Sequence, residues 1–114
     1  MWVVALAVLP IACSPPPEYS LLQQFFSASR LRDTTALHNI ATVIFEPREQ
    51  GTIASFEITG VATRRDGARE LKDVTITAPV RLPTRETVQR TLVVTLEKFG
   101  DRWMVTSVAV RTRP

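Results

Sequence analysis

The chain has 114 residues, 45% of them apolar and 22% charged, with a formal net charge of +3. That length accommodates one domain, and the composition is that of a folding chain rather than a disordered one. One cysteine and one histidine exclude an internal disulfide and a zinc cluster, so no metal or cofactor is expected and burial alone must hold the fold. The positive charge is almost all arginine, with acids interleaved and the densest groups, Arg64-Arg65 and Arg111-Thr112-Arg113, at strand ends. Nucleic-acid binders gather such charge into a stripe or patch. A solvated surface is expected instead, and no nucleic acid among the partners.

The first twelve residues, MWVVALAVLPIA, carry no charge. They fall short of the roughly 20 apolar residues that span a bilayer but suit the apolar part of an export signal. The run stops at Cys13-Ser14-Pro15-Pro16-Pro17, where prolines favour an extended, solvated chain. Residues 1–12 are therefore read as a leader, 13–18 as a proline-rich tether and 19–114 as one domain. The Pro10-Ile11-Ala12-Cys13 boundary resembles the lipobox of bacterial lipoproteins, with Pro10 at the place where that family prefers leucine. The resemblance implies cleavage before Cys13 and a diacylglycerol on its sulfur. It also implies an exported protein anchored by lipid in the cell envelope, with Ser14 matching the outer-membrane sorting pattern of two-membrane bacteria.

From Tyr19 the period is helical, with Leu21, Leu22, Phe25, Phe26 and Ser29 on one side and Gln23, Gln24 and Arg30 on the other. A second helix is expected from Asp33 or Thr34, both good caps, carrying Leu37, Ile40, Ala41 and Ile44 and ending at Glu46-Pro47. Beyond Gly51 the period becomes two. Strands are expected over 52–64 (Phe56, Ile58 and Ala62 on one face), 71–82 (Val74, Ile76, Ala78, Val80, Leu82) and 87–98 (Val88, Leu92, Val94, Leu96). The last strand, 102–111, reads with Trp103, Val105 and Ala109 on one side and Met104, Val108 and Val110 on the other. Turn signals at Asp66-Gly67, Pro83-Thr84-Arg85 and Gly100-Asp101 make these an antiparallel meander. The expected class is α+β, two N-terminal helices on a curved four-stranded sheet.

Two helices followed by long antiparallel strands, with the Ser29-x-x-x-Asp33-x-x-x-Leu37 junction and the Gly100-Asp101-Arg102-Trp103-x-Val105 turn, resemble the nuclear transport factor 2-like, or SnoaL-like, superfamily. A cystatin-like helix-on-sheet arrangement is the near alternative. The resemblance implies a cone-shaped fold whose enzymes, isomerases and hydrolases, keep a carboxylate in the apolar cone. Such an acid must be buried to raise its pKa toward the working pH. The inward strand phases supply none: Asp73, Glu57 and Glu97 oppose the apolar residues, and only Arg90 and Lys98 share the phase of Leu92 and Leu96. Asp33 reads as a cap, Tyr19 as packing and His38 as a surface group. No catalytic residue is assigned. Cys13 is the expected lipidation site, and Arg90, Trp103 and Asp33 are candidate pocket or ligand contacts. The expected function is a membrane-anchored, non-catalytic binding or interaction domain. The alternatives are a small SnoaL-like enzyme and an accessory subunit of a membrane complex. Apolar residues on both sides of the last strand would need a second cover, from a homodimer mate or a membrane-complex partner.

Overall fold

The computed structural model describes residues 16–111, so the expected leader and Cys13 lie outside the described residues. Helix α1 spans Pro17–Leu31 and starts two residues ahead of the expected Tyr19. Proline explains this: in the first turn its missing N–H has no intrahelical partner to lose, and its fixed φ suits the helix. Leu22, Phe25, Phe26 and Ser29 are buried, and Gln23, Gln24 and Arg30 exposed, as the spacing requires. The helix closes at Arg32, left-handed at φ 55°. There the Arg32 N–H donates to the Ser29 carbonyl at 3.1 Å and the Asp33 N–H to that of Ala28 at 2.9 Å.

Helix α2, Thr34–Ile40, is shorter than expected. Ala41 is already extended and forms a parallel bridge to Val105, and the Thr42 N–H donates to the Val105 carbonyl at 2.9 Å. The run Thr42-Val43-Ile44 is β-branched throughout, which costs side-chain freedom in a helix. An open strand edge offers its backbone a partner instead. Ile44 therefore belongs to an extended segment along the sheet edge, not to the apolar face of α2. Buried Ser29 ties that segment to α1, its Oγ accepting the Phe45 N–H at 3.1 Å.

The strands are β1 (Thr52–Ile53), β2 (Glu57–Asp66), β3 (Arg69–Arg81), β4 (Thr87–Phe99) and β5 (Arg102–Val110). All pairings are antiparallel: β2, β3, β4 and β5 form the meander, and β1 pairs with the far end of β3. The strand expected over 52–64 is thus broken in two. The α+β class, with two helices on one face of a curled antiparallel sheet, is as the sequence implies.

Two bulges decide which side chains enter the core, because one inserted residue reverses every later side chain on a strand. The first, between Ile58 and Gly60, leaves Ile58 opposite Ile76 on the inner face but puts Ala62 opposite Asp73 on the outer one. Ala62 therefore does not share a face with Ile58. The second lies in β5 at Thr106, between the pairs Thr95↔Ser107 and Leu96↔Val105. Trp103 and Val105 face Lys98 and Leu96, and Val108 and Val110 face Val94 and Leu92, all on the inner side. The two-sided reading of this strand is overturned. Of its apolar residues only Met104, opposite Glu97, and Ala109, opposite Val93, turn outward.

With the phases reset, a single core lies between the helices and the inner face. Leu22, Phe25, Val74, Ile76, Leu92, Val94 and Val105 are fully buried. The argument for a second cover over an apolar outer face falls with the two-sided strand. Gly51, at φ 98°, lets β1 meet β3 so closely that a Cβ there would collide with the Arg81 carbonyl, whereas a Cβ on Gly60 meets open space. Gly51→Ala should therefore destabilise the domain by about 2–4 kcal/mol and Gly60→Ala by no more than about 0.5 kcal/mol. Thermal melts of the two variants test this.

Candidate functional site

The residues singled out in the sequence sit in three separate places. Asp33 caps α2, its Oδ1 accepting the Ala36 N–H at 3.1 Å. It also lines an open groove of about 580 Å³ between α1, α2 and residues 53–56, with Phe26 and Phe56 among its apolar wall and Gln23, Gln24 and Asn39 among its polar one. Exposed His38 belongs to a different hollow, beside Met104 on the β5 edge. Arg90 faces inward opposite Ala78, half-buried, and its strand runs past the end of β5, where Val110 stands opposite Leu92. It lies in neither groove and makes no ion pair among the described residues. Asp33, His38 and Arg90 therefore do not converge on one point. Tyr19 packs its ring on Phe56, centroids 4.8 Å apart.

Trp103 marks the best-defined polar feature of the inner face. Lys72 lies in the phase of Val74 and points inward, its Nζ 4.4 Å from the centre of the Trp103 ring and 2.8 Å from Glu18 Oε2. Glu18 is 9% exposed and comes from the first turn of α1. The Lys72 ammonium holds the Glu18 carboxyl below the ordinary carboxylate range, against the burial that pushes the other way. The Glu18 carboxylate is therefore charged at neutral pH, and the pair pins the start of α1 to β3. Pro17, Leu21 and Leu96 complete a small apolar hollow of about 240 Å³ around them. The sequence reading missed this pair because 54 residues separate its members. The available signal was a lysine in the inward phase of β3, which requires a partner once buried.

The outer face is polar, and the arginines of the β2–β3 turn are engaged. Arg64 grips Asp73 with two hydrogen bonds, Nε to Oδ2 at 2.7 Å and Nη2 to Oδ1 at 3.3 Å, and the Thr95 hydroxyl donates to Oδ1 at 2.9 Å. Arg69 holds Glu97 in the same way at 3.1 and 3.0 Å. Arg64 and Thr95 hold Asp73, and Arg69 holds Glu97, below the ordinary range. Leu71, between Arg64 and Glu97 in register, is only 1% exposed beneath them. The arginines of the β2–β3 turn thus serve sheet cohesion first. Arg111 donates its N–H to the Thr91 carbonyl at 2.8 Å.

Compared with protein-family models, curated proteins and solved structures, the chain matches none. The reading of the site therefore stands on its geometry.

Lys72→Met, which leaves Glu18 buried without its partner, should cost about 2–3 kcal/mol, and adding Glu18→Met should recover more than half of that, because an apolar pair can replace a buried ionic one. Chemical denaturation of the two single variants and the double one reads the coupling. A depressed carboxyl contributes stability that is present above its unfolded pKa and is lost as pH falls through its folded one. The gap between the native chain and Glu18→Gln should therefore be full at neutral pH and shrink below about pH 4.3. Asp33→Ala should lose about 1 kcal/mol, the worth of a cap.

Proposed function

We propose that this chain is an exported lipoprotein whose Cys13 carries the membrane anchor and whose α+β domain, of nuclear transport factor 2-like design, is a non-catalytic binding or interaction module. The observation that carries the anchor is the boundary itself: an uncharged run of twelve residues, a lone cysteine and a proline tether, followed at once by a helix that opens on Pro17 and is pinned by Glu18. With Pro17 and Glu18 in the helix, the tether contracts to Ser14-Pro15-Pro16, about 9 Å when extended. A short leash of this kind suits a domain that works against the membrane surface.

The packed interior supports a binding role over an enzymatic one. A cone-fold enzyme needs an open, partly apolar chamber between helix and sheet with an acid inside it. Here Leu22, Phe25, Phe26, Ile76 and Val94 fill that space, and the inward-facing acid, Glu18, is neutralised by Lys72. The groove beside Asp33 is the better place for a ligand. It offers aromatic surface from Phe26 and Phe56 with the amides of Gln23, Gln24 and Asn39 around it, the combination of apolar floor and few directional groups that recognition sites use.

Intact mass of the protein extracted from its native membrane tests the anchor. The expected mass begins at Cys13 and includes a diacylglyceryl group and an amide-linked acyl chain. Cys13→Ser should abolish both processing and membrane retention. An unmodified chain that still begins at Met1 overturns the reading.

A further inference from the structure

The end of the sheet where α1 begins carries an aromatic and cationic tip that the core does not use. The turn joining β4 to β5 reads Lys98-Phe99-Gly100-Asp101-Arg102, with all five residues exposed and Phe99 45% accessible. Lys98 and Arg102 make no ion pair among the described residues. The β2–β3 turn stands beside it: carrying the β3–β4 register two residues past Leu71↔Glu97 sets Arg69 opposite Phe99. Residues 64–70 hold three arginines against Asp66 and Glu70, and residues 98–102 hold Lys98 and Arg102 against Asp101. The three arginines of the first turn are held by Asp73, Glu70, Asp66 and Glu97, so the unpaired positive charge at this end is that of Lys98 and Arg102. One step behind the tip, Trp103 lies opposite Lys98 and lines a hollow with Pro17.

An exposed aromatic flanked by lysine and arginine, with a tryptophan one layer back, is the composition that settles into lipid headgroups. The rings enter the apolar boundary, and the cations meet anionic phosphates. Chain length points the same way. Four residues lead from Cys13 to Pro17, a reach of at most about 14 Å. A lipid on Cys13 is therefore held close to this end of the sheet. We propose that the β4–β5 turn, led by Phe99 with Lys98 and Arg102, docks on an anionic lipid surface and sets the orientation of the domain. The inference rests on the anchor assigned to Cys13 for its geometry. Its consequence is that the Asp33 cap, at the other end of a 15-residue helix about 22 Å long, is presented away from the membrane.

Hydrogen exchange on the full chain, purified in detergent and reconstituted into vesicles, tests the docking. Amides of residues 99–102 should exchange about fivefold more slowly on phosphatidylglycerol vesicles than on phosphatidylcholine vesicles, while those of the Thr84–Glu86 turn at the opposite end should not change. Phe99→Ala combined with Lys98→Ser and Arg102→Ser, all at exposed positions, should remove the protection without changing the melting temperature. Equal exchange at the two ends on both lipids overturns the docking. Intact mass of the same sample separates the two ideas: a lipidated chain with an unprotected tip overturns the docking alone. A chain without lipid whose tip is still protected by anionic vesicles supports the docking and overturns the anchor.

Discussion

The whole structure depends on burying one face of one sheet. A single cysteine allows no internal disulfide and no cluster of metal-ligating side chains stands among the described residues; what holds them together is the contact between α1, α2 and the inner side of β3, β4 and β5. That contact requires most large apolar side chains of the strands to point the same way, with Leu71, Val93, Phe99 and Met104 on the outer phase. Strict alternation would send Val108 and Val110 to the solvent side while Trp103 and Val105 face the core. The extra residue Thr106 resets the phase and sends all four inward. The bulge beside Thr59 does the reverse for β2, leaving Ile58 inside and turning Ala62, Arg64 and Asp66 outward. There Arg64 reaches Asp73, and Asp66 reaches Arg69.

One charged pair interrupts this apolar contact. Glu18 and Lys72 meet at 2.8 Å where the first turn of α1 crosses the sheet, and Trp103 covers the ammonium from the other side. A buried ion pair is weak evidence for stability, because desolvation offsets most of its attraction. Its more evident role is positional. An apolar helix face alone tolerates sliding along a smooth sheet, whereas a directional contact at the first turn fixes both where α1 starts and where the tether leaves the domain. Glu18 also sits among the free N–H groups of that turn, where a carboxylate is favoured in any case.

Much of this was legible in the sequence, and what was not has a common cause. The stripe Leu22, Phe25, Phe26, the inward phases of Val74 to Val80 and of Leu92 to Leu96, and the cap at Asp33 follow from local spacing and local hydrogen bonding. Periodicity can see those. The end of α2 was not legible, because Leu37, Ile40 and Ile44 keep a helical spacing; what ends the helix at Ile40 is an edge of β5 more than sixty residues away, which offers Thr42 a carbonyl at 2.9 Å. Neither bulge shows in composition: each is one residue that departs from a period of two, and only the register of the neighbouring strand reveals it. The Glu18–Lys72 pair is of the same kind, since each half is ordinary alone.

These long-range contacts also give the domain its polarity. At one end of the sheet lie the start of α1, the Glu18–Lys72 pair, Trp103 and the two turns with their arginines and Phe99. At the other lie β1, Gly51 and the Leu82–Glu86 turn, and the Asp33 groove opens beside residues 53–56. A meander necessarily puts alternate turns at opposite ends, so the turns after β2 and β4 share an end by topology alone. That the chain enters at this end follows from α1, which must run from the Trp103 corner toward the groove to lay its stripe over the inner face. The same packing that closes the core therefore sets the start of α1 and the Asp33 cap at opposite ends of one helix, while Phe56 on the groove wall reaches back to Tyr19.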